Sequence, residues 1–420
     1  MNAMTDRRLT APAFFKGYWS LCAIRFSTSF VAWVDFILIF STLSFVFRAS
    51  TETIGLAAAF YGLPPLLLGP LAGRLADRVN PFLLVTCSFV LRCTASCSLY
   101  LAGDAGLFLA LVAFKGVSNL GAVPAEVVLT RRLLTDRQIV SNTALVSVVN
   151  QFIKVCSPLA AGIVVASTDR PVGFLLSAAC AVAGLLFCTI LWLQQGGSLR
   201  SPATKPKGEG GFAAIKAFYW RGPATRLLLF CSLAQSAVLG FYDSMLGTLL
   251  STSGFGASAF GLVVSATGLG GIVAGIAFKS LYLARVLVCS TVSLMFYGAC
   301  ILGAGLLASL HSAFTLAILL LVFFFSGITF GLNSMAFAVV LQTQCSPAHL
   351  GFISSSVWSL TLALLVSGPL LGGFIAAETS IQSAFVIAGG TAMCIGLALH
   401  WGFAGALAGA GHEPATGGGS

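Results

Sequence analysis

The chain has 420 residues, of which 58% are apolar and 8% charged, with a formal net charge of +10, and its mean hydropathy is +0.98. Soluble domains carry about 25% charged residues, so this composition excludes a water-soluble globular protein. It predicts a chain folded in lipid, where each crossing of a hydrocarbon core of roughly 30 Å takes about 20 apolar residues.

About twelve apolar runs of membrane-spanning length follow one another along the sequence. A transmembrane β-barrel would show shorter segments of alternating polarity, so we predict helices. Their approximate ranges are 18–47, 52–71, 81–102, 106–128, 139–166, 172–194, 224–248, 257–278, 283–307, 312–341, 351–376 and 382–407.

The first predicted helix contains an aspartate, Asp35, within an otherwise apolar stretch, and an arginine, Arg25, nearer its start. Charged groups inside membrane spans usually face a protein-lined cavity and mark an ion or substrate path. We therefore predict that Asp35 is the protonatable carboxylate of a transporter. For Arg25, contact with a substrate and snorkelling to the membrane surface are both open.

Three further charged side chains lie inside the third and fourth predicted helices. Arg92 is deep in the third helix, where pairing with an acid and contact with a substrate are both open. The fourth helix carries Lys115 and, close to its end, Glu126. The position of Glu126 predicts a gate or a helix cap.

The fifth predicted helix has a polar face. Ser147, Asn150 and Lys154 lie along one side of an α-helix, and Gln151 widens this stripe. A polar group at bilayer depth must meet another helix or water, because each unsatisfied group in lipid costs several kcal/mol. Contacts between helices do not account for a lysine, so we predict that the stripe lines a central cavity.

A change of composition after the sixth helix divides the chain. Residues 195–223 are rich in Gly, Ser, Pro and Lys and predict a cytoplasmic linker. It separates a six-helix bundle at 18–194 from a second at 224–407, and residues 1–17 and 408–420 are predicted to be a cytoplasmic N-terminus and a disordered cytoplasmic tail.

The two halves echo each other, as expected of transporters built from repeats. Asp243 lies late in the seventh helix, as Asp35 does in the first, and Ser236 shares its face. We therefore predict that Ser236 lines the cavity and that Asp243 takes part in proton coupling. Because most charges inside helices belong to the first half, we expect coupling there and substrate surface in the second.

The loop charges predict the orientation of the chain. Nearly all loop Lys and Arg fall on one side of the predicted membrane, whereas the other side holds only Arg48 and Arg170. Retained cytoplasmic loops carry the positive excess, so both termini are expected inside, in the cytoplasmic (inner) membrane. The basic charge then reflects topology and contact with lipid headgroups, and we expect no nucleic acid partner. The first residues lack a signal-peptide cleavage site.

A resemblance to a known family appears after the second helix. Gly69-Pro-Leu-Ala-Gly73-Arg-Leu-Ala-Asp77-Arg78 resembles the signature loop of the major facilitator superfamily, Gly-x-Leu-Ala-Asp-Arg-x-Gly-Arg-Lys, although residues 80–82 replace its last three positions. In that family the carboxylate latches the two halves in one conformation. The resemblance implies gating roles for Gly73, Asp77 and Arg78, with Arg131 or Arg132 as the partner of Asp77.

Two weaker resemblances follow. Residues 115–122, Lys-Gly-Val-Ser-Asn-Leu-Gly-Ala, are similar to the family's Arg-x-x-Gln-Gly-x-Gly-Ala element, in which the arginine is associated with proton coupling; that role passes to Lys115, beside Asn119. Residues 139–142, Ile-Val-Ser-Asn, followed by Gln151, Pro158 and Gly162, resemble exporters related to the macrolide and enterobactin exporters.

Enzyme motifs are missing from the sequence. It has no Walker loop, dinucleotide fingerprint, zinc-protease pair or Gly-x-Ser-x-Gly, and nearly all of the cysteines lie within predicted helices, as small hydrophobes do. We expect no enzyme activity, cofactor or metal.

The prediction is an all-α polytopic membrane protein with about twelve transmembrane helices in two six-helix bundles, the major facilitator fold. We expect a monomeric, proton-coupled exporter of amphiphilic organic molecules such as drugs, secondary metabolites or siderophores, with substrate, protons and membrane lipid as its partners. The alternatives are a proton-coupled symporter importing an organic anion or siderophore, and a non-transporting receptor or scaffold. Predicted proton-coupling residues are Asp35, Lys115 and Asp243; cavity residues are Arg25, Arg92, Asn119, Ser147, Asn150, Gln151, Lys154 and Ser236; gating residues are Gly73, Asp77, Arg78, Glu126 and Arg131.

Overall fold

The computed structural model describes residues 16–47, 51–166, 173–200, 211–255, 257–308 and 314–403. Arg48, Arg170, most of the predicted N-terminus (1–15), the middle of the predicted linker (201–210) and the predicted tail (408–420) lie outside these residues.

The described part of the first half consists of seven helices, because the fourth span is divided in two. They are α1 (Tyr18–Ser41), α2 (Thr51–Arg78), α3 (Pro81–Tyr100), α4 (Ala105–Ser118), α5 (Ala122–Leu133), α6 (Asp136–Ala166) and α7 (Gly173–Arg200). A π-helical stretch, Thr42–Val46, prolongs α1.

The second half begins with a short helix inside the predicted linker. The described helices are α8 (Phe212–Tyr219), α9 (Pro223–Asp243), α10 (Leu246–Thr252), α11 (Ala257–Leu307), α12 (Thr315–Gln344), α13 (Leu350–Glu378) and α14 (Ile381–Gly402). The predicted eighth and ninth spans both lie within α11, as Ala259–Ser280 and Leu287–Leu307.

Eleven segments among the described residues are long and apolar enough to cross a membrane, and α6 adds a helix of 31 residues. The predicted all-α fold of twelve membrane-length helices is thereby confirmed. The linker differs from its prediction: α7 continues to Arg200 beyond a break at Gln195, and Leu199 and Phe218 are buried. Because these apolar side chains are buried, both ends of the predicted linker pack against the rest of the protein.

Several helices begin where the sequence supplies a capping side chain. Asn80 accepts a hydrogen bond from the backbone N–H of Phe82, with Pro81 at the first position of α3. Asp104 and Ser380 cap α4 and α14 in the same way. Such side chains satisfy N–H groups that a helix leaves unpaired in its first turn.

The break between α4 and α5 has a sequence cause. Residues 119–121 separate the two helices, and Pro124 follows in the first turn of α5, where proline is tolerated because its N–H would be unpaired anyway. Gly116 packs so closely on α2 that a Cβ would lie 2.7 Å from the carbonyl oxygen of Phe60. The fourth span is therefore two helical segments fixed separately.

Each half contains a matching hydrogen bond between its first and fourth spans. Thr28 of α1 bonds to Glu126 of α5, and Asn333 of α12 donates to Gln235 of α9 over 2.8 Å; both pairs are 98 residues apart in the sequence. An equal spacing at equivalent positions indicates that the halves are structural repeats. The pair is charged in the first half and neutral in the second.

The halves meet along two lateral seams. Helix α2 packs on α13, and α6 packs on α11 and α12. The second seam is close, because a Cβ on Gly271 of α11 would lie 2.6 Å from Nε2 of Gln151. Small residues allow such approach between membrane helices.

Candidate functional site

An ion pair is enclosed within the first half. Lys115 Nζ of α4 lies 2.9 Å from Asp35 Oδ2 of α1, and both side chains are fully buried. Ser177 of α7 donates to the other carboxylate oxygen, Oδ1, over 2.5 Å. Both oxygens of Asp35 therefore have partners, and the carboxylate does not reach solvent in this conformation.

Two groups besides the Asp35 carboxylate hold the lysine. Its ammonium donates to the carbonyl oxygen of Arg92 over 3.1 Å and to the hydroxyl of Ser96, and Ser96 in turn lies 3.0 Å from the hydroxyl of Ser177. Such full pairing is what allows two charges to remain in a dry interior.

A second charged cluster lies beside the first. Glu126 accepts a hydrogen bond from Thr28, and Arg25 Nη1 lies 3.7 Å from its other oxygen. The guanidinium of Arg92 donates to the backbone carbonyl of Thr28 over 3.4 Å. Through Arg92 and Lys115, the two clusters form one network across α1, α3, α4, α5 and α7.

Three residues predicted to line the substrate cavity lie in this network or beside it. Arg92 is 2% exposed, because its carbonyl and guanidinium both bond within the first half. Asn119 is half-buried and donates to the Tyr61 hydroxyl over 3.2 Å, which donates to the Ala32 carbonyl over 3.3 Å. Arg25 is 28% exposed, so the network reaches the surface there.

Thr28, Ser96 and Ser177 are not among the site residues predicted from the sequence. Thr28 lies two helical turns before Asp35 and therefore on the same face of α1, which is a usable signal. Ser96 and Ser177 give no such signal in the sequence, because a single serine in an apolar helix is equally compatible with a simple contact between helices.

A second site, which we call the cleft, is formed by Trp33 of α1, Lys154 of α6 and Asp243 of α9, which come from both halves. Lys154 of the first half and Asp243 of the second are both exposed and interact electrostatically. The ammonium of Lys154 lies 5.4 Å from the ring centre of Trp33, a cation–π distance. Opposite charges from the two halves therefore lie near each other, and both side chains are exposed.

The remaining predicted cavity residues are placed differently from one another. Ser147 and Asn150 are partly exposed on α6. Gln151 packs against Gly271 at the seam with α11. Ser236 is 9% exposed and donates to the Ser232 carbonyl of its own helix over 2.8 Å.

The predicted latch residue, Asp77, contacts the other half. Its two carboxylate oxygens accept hydrogen bonds from the backbone N–H groups of Gly351, over 2.6 Å, and Phe352, over 2.8 Å. These groups begin α13, where the helix dipole favours negative charge. Asp77 is 4% exposed, so water does not compete for these bonds.

Close packing surrounds the latch. A Cβ on Gly73 would overlap the hydroxyl of Ser355 and the carbonyl of Gly351, so only glycine allows this contact. Arg74 stacks 4.6 Å above the ring centre of Phe352. Arg78 ends α2 with an exposed side chain.

Of the two arginines predicted as partners of Asp77, Arg132 is the one that interacts with it electrostatically. Arg131 instead pairs with Asp136, at the start of α6. Its predicted pairing with the latch is therefore replaced by a local contact, because Asp136 is only five residues away in the sequence. Among the described residues no group of three His, Cys, Asp or Glu side chains could hold a metal ion.

Comparisons with solved structures support this architecture. The human organic anion transporter MFSD10 (TETRAN) superposes with a TM-score of 0.72 at 15% identity, over 91% of this chain and 99% of that one. A bacterial homologue of the iron transporter ferroportin, in an outward-facing state, gives 0.69 at 16% identity, over 92% and 99%. At these identities the likeness concerns the fold alone.

Sequence comparison gives the family. A Bacillus subtilis (strain 168) protein, "Uncharacterized MFS-type transporter YfiS", is 22% identical over 387 residues, which are 91% of this chain and 92% of the relative. The sequence model of the Major Facilitator Superfamily matches residues 21–366. This match, together with two repeat-related bundles that meet at Asp77, establishes that the chain belongs to the Major Facilitator Superfamily of transporters.

Proposed function

We propose that this chain is a secondary active transporter that works by alternating access and exports amphiphilic organic molecules in exchange for protons. The observation that carries the proposal is the pairing of a cross-half latch at Asp77 with a charged cleft at Lys154 and Asp243. The latch closes one end of the interface, and the cleft leaves charges of both halves exposed.

The latch suits a reversible gate. It consists of charge-assisted hydrogen bonds to backbone groups, each worth about 1.5–3 kcal/mol. Bonds of this strength hold one conformer and still release on the microsecond-to-second timescale of such transitions. On the predicted orientation this end faces the cytoplasm, so the cleft opens outward in this conformation.

Proton coupling is assigned to Asp35. Protonating this carboxylate would leave Lys115 buried without its counter-ion, an arrangement that costs several kcal/mol. The first half would then have to rearrange, exposing the pair to one membrane face. Binding and release of a proton thereby become linked to the state of the helices.

The substrate class follows from the chemistry of the cleft. Trp33 supplies an aromatic face and Lys154 a charge, and such a mixture suits molecules with an apolar body and a polar end. We place the protein in the cytoplasmic membrane, as a monomer in contact with lipid and with both termini inside.

Transport in proteoliposomes tests the proposal. The purified protein would be reconstituted and given a pH gradient of either sign, with the fluorescent cation ethidium or the anion fluorescein as probe. Proton-driven movement of a probe against its concentration supports coupled transport, and its direction relative to the gradient separates antiport from symport. Movement that ignores the pH gradient contradicts the proposal.

The second candidate is a symporter that imports an organic anion or siderophore. It is favoured by Lys154, a cation whose side chain is exposed, and the human transporter of similar fold is described as an organic anion transporter. Entry of fluorescein together with protons would establish it.

A receptor or scaffold is the candidate from another class. In that case the buried charges only fix helix packing, and no gradient-driven transport exists to be lost. An Asp35→Asn variant that folds normally and no longer moves a probe excludes this candidate.

A further inference from the structure

We propose that the cleft binds zwitterionic amphiphiles, with the anionic group of the ligand on Lys154 and its cationic group on Asp243. The proposal rests on the transporter function above and deepens it by naming the substrate class. The two binding residues belong to different halves, α6 and α9, so one ligand would contact both bundles.

The first argument is that the two charges are complementary and available. Lys154 and Asp243 are exposed, and they interact electrostatically without forming a contact ion pair with any described residue. Elsewhere in the described first half, Lys115 and Arg25 lie directly against carboxylates, at 2.9 and 3.7 Å. Lys154 and Asp243 interact without direct contact, which leaves each charged group able to bind a ligand group of opposite charge.

The second argument concerns the cost of binding a ligand with a single charge. A lone anion on Lys154 would displace water from Asp243 and add a like charge near it, and a lone cation on Asp243 would do the same to Lys154. Desolvating a charge without a partner is strongly unfavourable. A zwitterion satisfies both groups and leaves the net charge of the cleft unchanged.

The third argument is the aromatic surface beside the lysine. The Trp33 ring lies 5.4 Å below the ammonium of Lys154 and fixes the side chain over α1. A planar aromatic ligand can stack on the same residue. Ser147 and Asn150, partly exposed on α6, add hydrogen-bonding groups. The preferred ligand is therefore an aromatic molecule that carries both an ammonium and a carboxylate.

A set of three matched fluorescent probes tests this preference. Nε-dansyl-lysine is a zwitterion, dansylcadaverine lacks its carboxylate, and 6-(dansylamino)hexanoate lacks its ammonium, while all share one aromatic group and one spacer. Binding to the purified full-length protein is measured by dansyl fluorescence without any ion gradient. We expect the zwitterion to bind at least tenfold more tightly than either singly charged probe.

Charge variants identify the residues. Lys154→Gln and Asp243→Asn should each weaken binding of the zwitterion at least tenfold, whereas Lys216→Gln and Asp104→Asn, exposed charges outside the cleft, should not change it. The exchanged variant Lys154→Asp/Asp243→Lys keeps both charges, and the ammonium and carboxylate of the ligand, which share one carbon, can exchange places by rotation of that end of the molecule. It should bind more tightly than either single variant, which excludes misfolding as the cause of their loss.

Two results would overturn the proposal. If the three probes bind equally and none of the variants changes their binding, the dansyl group is only partitioning onto apolar surface. Equal binding of the anion and the zwitterion, with no effect of Asp243→Asn, means an anion site at Lys154. Since equilibrium binding needs no gradient, either result leaves the proton-coupled transport assay to decide the proposed function separately.

Discussion

Lys115 and Asp35 form an ion pair over 2.9 Å in the interior of the first half, with both side chains fully buried. The two residues are on different helices, α1 and α4, so the pair ties together the elements through which the proposed proton coupling would act.

The first prediction concerns the energy of this pair. Asp35→Asn and Lys115→Met should each lower the free energy of unfolding by about 3–5 kcal/mol, because each leaves one buried charge unpaired. The double variant should be more stable than either single one, since it removes both charges. Thermal unfolding of the purified proteins in detergent measures these differences, and losses that simply add would show that the charges are not coupled.

The second prediction concerns the latch. Asp77→Ala should open the contact with α13, because it removes both acceptors of the Gly351 and Phe352 N–H groups. Hydrogen exchange of the peptide that starts α13 should become faster by tenfold or more. Asp104→Ala is the control, because it removes a helix cap within one half. Unchanged exchange at α13 in Asp77→Ala would contradict a latch.

The third prediction uses the close approach at Gly73. Gly73→Ala should prevent closure of the latch, because its Cβ would overlap Ser355 and Gly351 of α13. Faster exchange at the start of α13 is expected, together with at least a tenfold loss of transport in proteoliposomes. Gly62→Ala on the same helix meets no atom within 4 Å and should behave like the unchanged protein. Equal behaviour of the two variants would contradict the close contact.

The fourth prediction concerns the neutral pair of the second half. Asn333 and Gln235 bond to each other, but Nε2 of Gln235 and Oδ1 of Asn333 have no hydrogen-bond partner among the described residues. Gln235→Leu alone should cost about 1–3 kcal/mol, because it leaves the Asn333 amide unpaired.

The double variant Gln235→Leu/Asn333→Leu should recover most of that stability, since no buried polar group is then left. Thermal unfolding checks both. A double variant that is less stable than the single one would show that the amides have further partners, such as ordered water.

The fold could be predicted from the sequence, but only part of the candidate site could. Runs of apolar residues located the membrane helices, because lipid tolerates few alternatives to a helix, and the polar stripe on α6 pointed to Lys154. The partners of Asp77 could not be predicted, because they are backbone groups 274 and 275 residues away. Nor could the burial of Arg92, because a charged residue at membrane depth is compatible with both a wet cavity and a paired interior.

The interruption of the fourth span at residues 119–121 has a mechanical consequence. Lys115 belongs to α4, which packs on α2 and α3, whereas α5 is in contact with α13 of the other half. A continuous helix would transmit any tilt imposed by α13 to Lys115 and move its ammonium away from the Asp35 carboxylate. α5 itself carries Glu126, which bonds to Thr28 of α1, so a displacement of α5 together with α13 strains that contact before it reaches the Lys115–Asp35 pair.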